Sequence, residues 1–157
     1  MKHLARIIRL DESDLNVFEH PAEPGEWAIS GAFAFSNWSE ADLTGKRRQA
    51  FAHGWLSLES FGRASVVAVA PVTDLEWETL AAALADHFVA HYGAPGRAAA
   101  MPVALEELGY AEALCSDYEP NTLLLVERTL EEVGVRERFR AVKPVAAPLE
   151  SFAVHGE

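Results

Sequence analysis

Two histidines four residues apart, His87 and His91, stand in the stretch Asp86-His87-Phe88-Val89-Ala90-His91. On a helix that spacing places both on one face, where they can share a metal ion. The familiar helical zinc motif also needs a glutamate directly after the first histidine, and Phe88 stands there instead. No third ligand is identifiable. The competing reading is one histidine at the core edge and one at a helix end, where a cation suits the helix dipole. His87 and His91 are the metal candidates, and no cofactor is assigned.

Arginines make the second constellation. Five of the 13 basic residues lie between Arg128 and Lys143, and Arg136, Arg138 and Arg140 alternate. On a strand they project from one face, where guanidinium forks could grip carboxylates or phosphates. Such a strand is also what one wet sheet face looks like, with Glu127, Glu131, Glu132 and Glu137 near enough to pair. Trp38 sits in the polar stretch Ser36-Asn37-Trp38-Ser39-Glu40, either as a binding anchor or as a staple for the next helix.

Other motifs fail at named positions. Thr44-Gly45-Lys46-Arg47-Arg48 resembles the end of a phosphate loop, but Glu40 replaces the leading glycine and Arg47 the Ser or Thr after the lysine. Lys46, Arg47 and Arg48 read instead as a solvated helix face. Cys115 reads as an inert buried thiol, because nothing places a base such as His53 beside it. Neither a Gly-x-Ser-x-Gly elbow nor a Gly-x-Gly-x-x-Gly turn is present.

Composition limits the rest. A chain of 157 residues, half of them hydrophobic, suffices for one domain with its own core. With 13 basic and 24 acidic residues the formal charge is −11, which disfavours nucleic acid and anionic membranes as partners. A single cysteine permits no internal disulfide and fits a reducing compartment. No apolar run approaches a membrane span or a signal peptide, so the expected location is the bacterial cytoplasm.

The elements that must position these residues follow from periodicity. Strands are expected over 2–10, 15–20, 26–35 and 63–70, and a helix over 42–58 on the stripe Phe51, Trp55, Leu58. The clearest helix starts at the capping box Thr73-Asp74-Leu75-Glu76 and stops at Gly93 and Pro95. Another helix is expected over 101–116. Residues 121–133 fit a helix or a strand. Two strands, 122–130 and 135–142, are favoured. The fold class is therefore α+β, a mixed or antiparallel sheet of five to six strands with about three helices mainly on one face. Residues 1–143 form the domain and 144–157 an irregular tail.

The stretches Glu23-Pro24-Gly25-Glu26-Trp27-Ala28, Leu58-Glu59-Ser60-Phe61-Gly62-Arg63, His87-Phe88-Val89-Ala90-His91-Tyr92-Gly93 and Gly134-Val135-Arg136-Glu137-Arg138-Phe139-Arg140 resemble a family of small alphaproteobacterial proteins of unknown function. The resemblance spans most of the chain and implies no activity. The leading expectation is a non-enzymatic accessory or protein-interaction module contacting another protein through Arg136, Arg138, Arg140 and Trp38, with a homo-oligomer also open. The alternatives are a small-molecule binder or enzyme with a pocket between sheet and helices, and metal binding through His87 and His91.

Overall fold

The computed structural model describes residues 1–143. The chain runs through β1 (Lys2–Ile8), α1 (Ser13–Val17), β2 (Trp27–Ile29), α2 (Gly45–His53), β3 (Trp55–Ser57), β4 (Arg63–Ala64), β5 (Val66–Val72), α3 (Asp74–His91), α4 (Arg97–Cys115), β6 (Leu123–Glu131) and β7 (Gly134–Val142). The strands make one antiparallel sheet in the order β4-β3-β2-β1-β5-β6-β7. Among the described residues there are seven strands and four α-helices rather than five to six strands and about three helices. The expected tail, 144–157, lies outside the described residues.

The strongest local signals hold. Thr73 caps α3: its hydroxyl accepts from the Glu76 N–H at 3.1 Å, and the Glu76 carboxylate accepts from the Thr73 N–H at 2.9 Å. The ambiguous stretch is β6, and a tight turn pairs it with β7 in register from Leu123↔Val142 to Glu131↔Gly134.

Four expectations are corrected, the first three for a tertiary reason. Residues 13–17 are a short helix, because Asp14 turns inward and its carboxylate accepts from the Ser65 N–H and hydroxyl at 3.2 and 2.7 Å. The 26–35 strand stops at Ile29. Gly31, at φ +72, turns the chain into a 3-10 segment, Ala32–Phe35. The 42–58 helix ends at His53, so Trp55 is a strand residue. A Cβ on Gly54 would stand 2.7 Å from the Ala50 carbonyl, so the chain can leave the helix closely packed on its last turn. Helix α4 starts before Pro102, at Arg97, with Ala100 buried.

Successive strand residues point to opposite faces. Leu4 belongs to a buried cluster with Trp27, Ile29, Val72 and residues of α3 and α4 such as Leu84, Phe88, Ala104 and Leu108. Its neighbours Ala5 and Ile7 belong to a second cluster with Ala28, Trp55, Val67, Val69, Leu124, Val126 and Cys115. Both faces of the central strands are therefore covered.

Curl of the sheet closes the second cluster. Four strands separate β3 from β7, so in a flat sheet they would stand about 24 Å apart at ~4.8 Å per strand. Instead the rings of Trp55 on β3 and Phe139 on β7 have centroids 5.7 Å apart. The sheet rolls until its two wings meet.

Candidate functional site

Closure of the sheet depends on two buried arginines. The Arg128 side chain on β6 is fully buried. Its Nε donates to Glu137 at 2.9 Å, and its Nη1 donates to the Phe51 and Gly54 carbonyls at 2.9 Å each. Its Nη2 donates to the Ser30 carbonyl. Arg128 thus caps the C-terminal end of α2, where carbonyls lack helical partners. Arg63 on β4 donates to the Gly54, Ser30 and Gly31 carbonyls. Both guanidiniums face the Phe35 ring, at 4.6 Å for Arg63 and 5.2 Å for Arg128. Burial, and then the charge of Arg128, lowers the pKa of Arg63 to about 9.

Beside this clamp, between the rolled sheet and α4, lies a cavity of about 280 Å³. Its walls include Ala28, Phe33, Trp55, Ala111, Leu114, Cys115 and Phe139, with Ser30, Glu107, Tyr110 and Glu137 as polar groups. That is near the lower end of the roughly 300–1,000 Å³ of small-molecule sites, which also combine apolar walls with few polar groups. Glu137 is held in place by Arg128 and, more weakly, by the Ser30 hydroxyl at 3.4 Å. Burial raises the pKa of Glu107, and the carboxylates of Glu106 and Glu137 add to the effect. Trp55 is 1% exposed, yet its Nε1–H has no hydrogen-bond partner among the described residues. Leaving a buried donor unpaired costs about 1–3 kcal/mol. Among the described residues two other buried side-chain polar atoms are unpaired, His3 Nδ1 and Arg9 Nε, and neither residue lines this cavity.

The profile of a family of unknown function, DUF6505, matches residues 1–157. The chain belongs to that family. No curated protein and no solved structure matches it.

In this DUF6505 chain the residues singled out from sequence do not converge. Arg136, Arg138 and Arg140 are exposed at alternate positions of β7, the edge strand, facing away from the cavity that Glu137 and Phe139 line. Arg136 pairs loosely with Glu131 at 3.7 Å, and Arg138 stands opposite Glu127. Trp38 packs edge-on against Phe35 with Arg47 4.5 Å above its ring, so it staples the segment before α2. Lys46, Arg47 and Arg48 are exposed.

The imidazoles of His87 and His91 lie 4.8 Å apart, but His87 stacks flat on Phe61 at 3.8 Å. Burial, with His91 and Arg63 adding, lowers the pKa of His87. No group of three or more His, Cys, Asp or Glu that could hold a metal occurs among the described residues. Cys115 is buried and its thiol pKa is pushed up to about 12, by burial first and Glu112 second. His53 is engaged elsewhere, with Nδ1 3.1 Å from the Val126 carbonyl. No helix among the described residues is long and apolar enough to cross a membrane.

Sequence reasoning missed Trp55, Glu107, Glu137, Arg63 and Arg128. One signal was available. Leu124, Val126 and Arg128 share a strand face, so an inward arginine was implied once the first two were assigned to the core.

Proposed function

We propose that this protein binds a small molecule in the cavity between the rolled sheet and α4. The observation that carries the reading is the cavity itself, about 280 Å³ with largely apolar and aromatic walls and a few polar groups, Ser30, Glu107, Tyr110 and Glu137. The rigid setting supports it: the Arg128 clamp fixes Glu137, and Trp55 packs on Phe139, so the site is preformed. No chemical step is assigned to it. A buried thiol with a pKa near 12 is a poor nucleophile, and it suits the reducing cytoplasm in which we place the protein.

A thermal-shift screen of metabolites against wild type and Ala111→Phe tests the reading. Ala111 lines the cavity, and a phenyl ring there would fill it. Hits should raise the melting temperature of wild type and not of the variant. A flat screen, or hits that shift both proteins equally, would refute it.

A second reading, a protein-interaction module, is favoured by the exposure of Arg136, Arg138 and Arg140 on an edge strand. An unpaired edge can accept a partner strand, and acidic residues there would meet the arginines. Chemical crosslinking in the native cell, comparing wild type with the triple alanine variant, tests it. Identical crosslinks for both would count against this surface.

A further inference from the structure

We infer that the ligand is an uncharged, elongated molecule, mainly hydrocarbon, that lies along α4 and reaches from the cavity into the groove beside it. This assignment rests on the small-molecule reading above and names the class of ligand. Two independent observations carry it: the shape of the space and the charge around it.

Helix α4 has two apolar faces. Ala100, Ala104, Leu108 and Cys115 turn into the core. A second stripe, Ala99, Val103, Glu107, Tyr110 and Leu114, follows at steps of three and four residues, which sets it on one side of the helix. Ala99, Val103 and Glu107 line a groove of about 310 Å³, walled on its other side by Phe33, Phe88 and Tyr92. Glu107, Tyr110 and Leu114 line the cavity. Phe33 and Glu107 belong to both walls, so the two spaces adjoin. Gly31, at φ +72, turns the chain there, and Phe33 then packs edge-on against Phe88 and Tyr92. The inner end is walled by the buried Ala28, Trp55 and Cys115, and the outer end opens where Tyr92 and Val103 are about half exposed. From Ala99 to Leu114 the stripe runs about 22 Å at ~1.5 Å per residue. A compact molecule would occupy one space and leave the other wet. A chain covers both.

Charge of either sign lacks a site. Among the described residues no Lys, Arg or His lines the cavity or the groove. An anion would meet Glu107 and Glu137 and no spare donor, because Arg128 and Arg63 give theirs to Glu137 and to backbone carbonyls. A cation fares no better. Glu137 is already neutralised by Arg128 at 2.9 Å, and burial pushes Glu107 towards its uncharged form. An ion would lose hydration without gaining a partner. Methylene groups gain from the same walls by leaving water.

The test measures linear alcohols from hexanol to decanol by calorimetry at neutral pH on the full chain, with cyclooctanol, octanoate and octylammonium as matched probes. Wild type is compared with Ala111→Phe, which fills the cavity, and with Val103→Glu and Ala99→Glu, which put a carboxylate in the groove. Affinity should rise with chain length by up to about fourfold per methylene. Octanol should bind at least about fivefold tighter than cyclooctanol, octanoate or octylammonium. Each groove variant should weaken decanol by about fivefold or more and hexanol by less than about twofold, whereas Ala111→Phe should weaken both. If an ion or cyclooctanol matches octanol, and Ala111→Phe weakens it, the class is wrong and the cavity reading stands. If neither groove variant touches decanol, the ligand does not extend along α4 and the inference fails. Binding indifferent to all three substitutions lies elsewhere and overturns it too. If no alcohol binds, the inference is overturned; Ala111-sensitive hits in the metabolite screen then keep the cavity reading, and a flat screen removes it as well. Circular dichroism and melting curves establish that each variant is folded. Ala99 and Val103 are exposed and glutamate suits a helix, so the groove variants should fold.

Discussion

Replacing Arg128 by methionine should destabilise the protein by about 3–5 kcal/mol, the range seen when one partner of a buried ion pair is removed. Methionine keeps much of the apolar stem, so the loss is mainly polar. The side chain is 0% exposed and donates to Glu137 and to the carbonyls of Ser30, Phe51 and Gly54. Removing the guanidinium leaves a carboxylate at 20% exposure and the Phe51 carbonyl without a side-chain donor, while the Ser30 and Gly54 carbonyls keep only Arg63. At about 1–3 kcal/mol for each of these two deserted groups the sum, about 2–6 kcal/mol, brackets the expected range. Urea unfolding at neutral pH, with an unchanged denaturant slope, reads the loss directly. Arg136→Met is the control. Its side chain is 67% exposed and its Glu131 partner lies at 3.7 Å, so the change should stay within about 0.5 kcal/mol. A cycle with Glu137→Gln should return a coupling above about 1 kcal/mol. A loss for Arg128→Met below about 1 kcal/mol would refute the clamp, since a carboxylate and a carbonyl cannot be deserted in a dry site so cheaply.

Further expectations follow from the same geometry. Gly31→Ala should destabilise by about 3 kcal/mol, because φ is +72 and the new Cβ would stand 2.5 Å from the Leu56 Cβ; Gly25→Ala, at φ +88 in open space, should lose only about 1 kcal/mol, and equal losses in denaturation would show that packing at Gly31 is immaterial. Glu107→Gln should raise the melting temperature at pH 7. The folded pKa of Glu107 lies above its usual 4.5, so the wild-type side chain favours the fold most below 4.5 and loses that contribution as pH rises from there through the raised folded pKa. The advantage of the variant should vanish below about pH 4, and an advantage independent of pH would contradict the charge argument. His87 has the opposite sign: its folded pKa lies below the usual 6.5, so its contribution is present above 6.5 and lost as pH falls. His87→Phe should therefore lose less stability than wild type between pH 7 and pH 5.5, and parallel profiles would count against it. Cys115 should resist thiol reagents in the folded state and react only on unfolding, at a rate that tracks denaturant.

What could be read from the sequence was local. The Thr73–Glu76 capping box and apolar period placed α3, because the groups that satisfy each other are three residues apart. Alternation placed β7, because a strand with one wet face writes its period into the chain, whereas the pattern of β6 fitted a helix as well as a strand. The exposed, alternating Arg136, Arg138 and Arg140 were legible for the same reason. Charge balance, a lone cysteine and failed phosphate motifs narrowed the chemistry without naming a site.

Only the tertiary structure decided where the cavity lies. The roll of the sheet brings β3 against β7, so Trp55 meets Phe139 across 84 residues of chain, and no local pattern encodes that meeting. The helix expected over 42–58 stopped at His53 because Gly54 must pack on the Ala50 carbonyl and the last-turn carbonyls are taken by an arginine from β6, 74 residues away from Gly54. Arg63 and Arg128 look like ordinary surface arginines in sequence. They become core residues because their donors find backbone carbonyls that the roll of the sheet delivers. Periodicity reports which side of an element is dry; which elements share that dryness, and which carboxylates then face one cavity, is set by contacts distant along the chain.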